Sequence, residues 1–113
     1  MTVKDGVAPL SVSIELTALR IKPSDVARVA ESDGISGSAA ELYFSGRVQP
    51  QSVMRDDAPV IGIEYEIQGE AFRHLVTQII EEVHRAIPEL SCVKIVHRTG
   101  YVAVGDATVI VLV

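Results

Sequence analysis

Residues 69 to 87 carry the strongest constraint on how this chain folds. Phe72, Leu75, Val76, Ile79, Ile80, Val83 and Ile87 recur at i, i+3, i+4 and i+7, which places apolar side chains on one stripe of an α-helix. Glu70, Arg73, Gln78, Glu81, Glu82 and Arg85 fall on the solvent side, and Pro88 ends the helix. A helix with one apolar stripe needs a surface to pack on, here one face of a mixed sheet or a crossover between parallel strands.

The remaining elements read mostly as strands. Ser11 to Leu16 alternates, with Val12, Ile14 and Leu16 on one side and Ser11, Ser13 and Glu15 on the other. Pro23-Ser24-Asp25 opens a short helix that Ser24 is expected to cap, with Val26, Val29 and Ala30 as its apolar stripe. Asp33-Gly34 and Ser36-Gly37 mark its exit. A second strand is predicted from Ala39 to Phe44, followed by Ser45-Gly46-Arg47-Val48. Gln49 to Pro59 has no periodicity, and such stretches often carry function. Val60 to Ile67 alternates again, with Glu64 and Glu66 on the polar face. Cys92 to Val96 and Thr108 to Val113 read as strands, separated by His97-Arg98-Thr99-Gly100 and a turn at Val104-Gly105-Asp106. The order is β-α-β-β-α-β-β, and the short links favour an α+β fold.

Length and composition bound the function. The 113 residues suit one domain, residues 1 to 113. Aromatic residues are 4% and Trp is absent, so the core must be Val, Ile, Leu and Ala. A single Cys excludes an intramolecular disulfide and a cysteine-based zinc site within the chain. The net charge of −5 argues against electrostatic capture of nucleic acid. With no basic region followed by an apolar run at the N-terminus, no secretory signal is expected. The longest apolar run, Val109 to Val113, is too short to span a membrane. A cytoplasmic, soluble protein is the expectation.

Candidate chemistry is sparse. The glycines match neither nucleotide-binding fingerprint. His74 and His84 are ten residues apart and read as solvated helix histidines, so no metal site is expected. Cys92 reads as a buried structural thiol. Arg47 stands at a strand exit, where a guanidinium can bind a phosphate or carboxylate bidentately; a solvated loop arginine fits equally. His97 and Arg98 stand at a strand end, suited to an anionic ligand. The competing reading is a tight turn with Gly100 and Gly105 at positive φ and Arg98 paired to a carboxylate. Glu64 and Glu66 read as exposed acids on an open sheet face.

Taken together, three ordered segments resemble the large subunit of molybdopterin synthase. They are Ser38 to Val48, Ile63-Glu64-Tyr65-Glu66 before the long helix, and Val93 to Gly100 followed by Val104-Gly105-Asp106 and the last strand. The first is similar to a strand running into a Gly-x-Val-Arg loop. The last is similar to an Ile-His-Arg-x-Gly segment with a Gly-Asp turn. The resemblance implies an α/β-hammerhead type of α+β fold and a homodimer, which the apolar ending also suggests. It implies sulfur insertion into cyclic pyranopterin monophosphate, with sulfur delivered as a thiocarboxylate on a small ubiquitin-like carrier subunit. Arg47, His97 and Arg98 are the substrate-binding residues it suggests, and no cofactor follows from it. Gln49 stands where the family's loop arginine falls. None of Lys4, Lys22 and Lys94 matches the catalytic lysine motif, which in the family follows the last matched strand. The expectation is a relative that is catalytically incomplete as it stands, with no catalytic residue assigned. The alternative is a non-catalytic dimeric interaction or small-ligand-binding module on the same scaffold.

Overall fold

A parallel pair of strands sets the frame. β1 (Ser11–Thr17) lies beside β4 (Cys92–Arg98), with Ser11 opposite Cys92 and Thr17 opposite Arg98. The structure, a computed structural model, describes residues 10–31, 40–50 and 60–113. Between the paired strands the chain forms α1 (Pro23–Glu31), β2 (Tyr43–Arg47), β3 (Gly62–Tyr65) and α2 (Gly69–Ala86). After β4 come β5 (Gly100–Ala103) and β6 (Ala107–Leu112). The larger sheet has the order β1-β4-β6-β2, and β3 pairs with β5 in a separate two-stranded sheet. Parallel and antiparallel pairings coexist, so the α+β class expected from the sequence is the one observed.

The main core fills the space between α1 and the larger sheet. Ile21 and Val29 pack with Cys92, Val96, Ala107, Ile110 and Leu112, and Val26 and Ala30 close over them. Opposed residues of neighbouring strands share a face. Cys92, Lys94, Val96 and Arg98 therefore line the α1 side, and Val93, Ile95 and His97 the opposite side. Ile110 is 1% exposed, and burying such a side chain stabilises by about 1.5–3 kcal/mol. The thiol of Cys92 is buried, in agreement with its reading as structural.

Both helices are closed by side chains at their first turn. Gln68 accepts from Ala71 N–H at 2.6 Å and caps α2. At α1 the helix begins with Pro23, so Ser24 lies inside it and is not the cap. Asp25 does that work instead, accepting from Lys22 N–H at 2.6 Å, the reciprocal half of a capping box.

The structure moves several strand boundaries. β2 spans Tyr43–Arg47, later than the predicted Ala39 to Phe44, so Gly46 and Arg47 belong to the strand. Residue 39 lies outside the described residues, as do the predicted exit loop at 33–37 and residues 51–59 of the irregular stretch 49–59. β4 runs through His97 and Arg98, and β5 is a strand that sequence periodicity missed. β6 is no edge: it sits between β4 and β2, so the apolar ending is a buried inner strand. Along α2 only Ile80 is buried, while Leu75, Ile79 and Val83 on the neighbouring row are 43–58% exposed. The apolar stripe is wider than the surface that covers it.

Candidate functional site

One end of the larger sheet gathers the charged residues. β1, β4 and β2 end there with Thr17, Arg98 and Arg47, and β6 starts there with Ala107. The link Val104-Gly105-Asp106 turns the chain into β6, and Gly105 takes φ +88°, a conformation open to glycine at little steric cost. Val48, the residue after β2, locks onto this turn. Its N–H donates to Asp106 O at 3.2 Å and its carbonyl accepts from Gly105 N–H at 2.9 Å. A bulge in the pairing of β2 with β6 falls at Gly46/Arg47, as is common where a strand must re-aim a side chain.

Arg47 is held on the same turn, donating from Nη1 to Gly105 O at 2.9 Å. A carbonyl orients a guanidinium without neutralising it. Arg47 also lines a groove of about 1000 Å³ between α1 and the β2–β6 pair, walled by Val26, Ala30, Ile110 and Leu112.

Arg98 is different in kind. It is 8% exposed. Its Nη2 donates to Tyr101 O at 3.0 Å, a contact made possible by Gly100 at φ +79°. Its buried Nε has no hydrogen-bond partner among the described residues. Among the described residues no carboxylate pairs with it, so the ion pair entertained from sequence is replaced by a bond to a neutral carbonyl. A cation carried into the interior on one carbonyl is expensive to desolvate and is stabilised by an anion.

His97, the next residue back, projects to the opposite face because side chains alternate along a strand. Its ring meets Tyr65 edge-on at a centroid distance of 5.2 Å and Phe72 at 5.6 Å. Nδ1 lies 2.6 Å from the Arg98 carbonyl. Tyr65 in turn contacts Thr108 across 3.4 Å. Arg47, His97 and Arg98 thus share one end of the sheet, but His97 faces away from the α1 side on which Arg47 lines the groove.

The other candidates take simpler places. Glu64 and Glu66 are exposed, as is His74. His84 is half-buried, not solvated as expected, and its Nδ1 lacks a partner. No group of three metal-ligating side chains forms among the described residues. Sequence reasoning missed Arg20 and Lys22, which line the groove. Their signal was the position of two cations just before the helix-starting Pro23.

The comparisons with known proteins bear directly on this arrangement. The family model described as MoaE protein matches residues 16–113. The chain belongs to the MoaE family. This is the family of molybdopterin synthase large subunits, the one the sequence resembles. Comparison with curated protein sequences returned no match. Twelve chains of solved structures match. One is the molybdopterin biosynthesis MoaE protein from Burkholderia ambifaria MC40-6, similar with a TM-score of 0.61 at 22% identity. The match covers 91% of this chain and 62% of that one, so the MoaE-family chain described here spans under two thirds of that relative's length. At this identity the likeness establishes the fold. No helix among the described residues is long and apolar enough to cross a membrane.

Proposed function

We propose that this MoaE-family chain is the substrate- and partner-binding part of a molybdopterin synthase. It binds cyclic pyranopterin monophosphate and the thiocarboxylate tail of a small ubiquitin-like sulfur carrier, in the reducing cytoplasm. Arg98 carries this reading: a guanidinium 8% exposed, with a neutral carbonyl as partner and an unpartnered Nε. A phosphate or thiocarboxylate supplies the charge that the interior lacks. Arg47 adds a second cation at the same end of the sheet, and His97, fixed between Tyr65 and Phe72, adds a ring nitrogen from the other face.

Sulfur transfer is a separate matter. Lys94 is 4% exposed and donates to the Val29 carbonyl at 3.4 Å, and Lys22 stands at the groove mouth. Neither is assigned to acyl or sulfur transfer, so the proposal is binding without a complete catalytic set. An anaerobic titration with the pyranopterin phosphate tests it. Saturable binding, weakened about tenfold or more in Arg98→Gln and less in Arg98→Lys, is the expected result for loss of a charge-assisted pair. Equal affinity in wild type and Arg98→Gln, with both folded by circular dichroism, overturns the role of Arg98.

A homodimer belongs to the same proposal, on a new basis. With β6 inside the sheet, the edges among the described strands are β1 and β2, and the apolar one is β2, where Tyr43 and Phe44 are 61% and 60% exposed and Leu42, just before it, 63%. An uncovered apolar edge favours strand pairing with a second copy.

A further inference from the structure

The Gly105–Asp106 turn holds two arginines that come from separate parts of the chain. Arg47 reaches it from β2 and bonds Gly105 O at 2.9 Å. Arg20 reaches it from the link between β1 and α1, with Nε 3.6 Å from Asp106 Oδ1. Both line the mouth of the groove beside α1, together with Lys22. Among the described residues lining the groove, three cations therefore stand with two carboxylates, Glu41 and Asp106, in a chain whose net charge is −5. The Asp106 carboxylate offsets part of this charge, Arg47 is held only by a neutral carbonyl, and an anion bound by both arginines offsets the remainder.

The tethers leave binding capacity. A guanidinium has five N–H donors. The Arg47 contact uses Nη1 and the Arg20 contact uses Nε. Arg20 remains 71% exposed at its side chain, so it reaches solvent anions without reorganising a core. Below the charged mouth the groove is apolar, with Val26, Ala27, Ala30, Ile110 and Leu112 along it. Its volume of about 1000 Å³ far exceeds a phosphate and fits a small organic molecule.

We propose that Arg20 and Arg47 form a clamp for the phosphate of a small phosphate monoester whose apolar body lies in the groove beside α1. This deepens the proposed function by adding Arg20 to the anion-binding set, and it rests on the reading of Arg47 as an anion ligand. It does not depend on sulfur transfer. The probe is phenyl phosphate, titrated into the intact chain and followed through the backbone amides of Gly105, Asp106 and Ala107.

Saturable shifts at those amides are expected, with affinity reduced about tenfold in Arg20→Gln and in Arg47→Gln, as for removal of one charge-assisted partner. Arg20→Lys should fall between, because it keeps the charge and loses the fork. Arg73→Gln, on α2, should bind as wild type does. Wild-type affinity in Arg20→Gln overturns the clamp, and so does the absence of saturable binding. Inorganic phosphate binding as tightly as phenyl phosphate overturns the part played by the groove. The titration needs neither pterin nor sulfur carrier, so failure of the synthase reading leaves these outcomes readable.

Discussion

Lys94 donates from its ammonium to the carbonyl of Val29 at 3.4 Å, tying the central strand β4 to the last turns of α1. The side chain is 4% exposed, so its stem is core material and its charge sits where a helix presents carbonyls. Lys94→Ala removes three buried methylenes and the bond, and should destabilise the chain by about 2–3 kcal/mol. Lys94→Met keeps the stem and should lose about 1 kcal/mol or less. Urea denaturation measures both, and equal losses in the two variants contradict the account of the stem.

This residue also shows where sequence reading stops. The alternation Val12-Ile14-Leu16 and the helical spacing from Phe72 to Ile80 were legible, because periodicity reports which side is apolar. Lys94 inside an apolar strand was not legible as core, since its burial depends on α1 lying across β4. β5 escaped notice because Gly100–Ala103 is short and its partner, β3, lies on the far side of α2 in sequence. Arg47, His97 and Arg98 were legible as candidates by residue type. That His97 and Arg98 face opposite ways followed only once β4 proved to continue through both. Arg20 was invisible as a site residue because the turn that holds it belongs to the other end of the chain.

Gly62 lies under the ring of Tyr101 across the β3–β5 pair. A Cβ at Gly62 would overlap the Tyr101 ring and hydroxyl, and that hydroxyl donates to Ile61 O at 3.1 Å. Gly62→Ala should displace the ring and destabilise the chain by about 1 kcal/mol, the value of one lost hydrogen bond. In the background of Tyr101→Ala the same change should be close to neutral. A double-mutant cycle by thermal or urea unfolding checks the coupling.

Cys92 should be silent until the chain unfolds. At 4% exposure in the core under α1, its thiol is shielded from reagents. A colorimetric disulfide reagent should report no reaction in native buffer and one equivalent in denaturing urea. One equivalent released rapidly under native conditions contradicts the position of β4 against α1.

The exposed β2 edge gives a separable test of self-association. Phe44 is 60% exposed in the single chain, so Phe44→Glu should change intrinsic stability by about 0.5 kcal/mol or less, as for other surface changes. The same substitution should shift sedimentation equilibrium from dimer to monomer by placing a charge on the pairing edge. A wild-type chain that is monomeric at micromolar concentration contradicts the proposed homodimer.

The most direct test of the central claim combines the purified chain with the thiocarboxylated carrier subunit and the pyranopterin phosphate under anaerobic conditions. Complex formation and dithiolene product are measured in the same mixture. The chain should bind both molecules, and no dithiolene should accumulate. Failure to bind either one contradicts the proposed role, and repeated turnover to the dithiolene contradicts the claim that the catalytic set is incomplete.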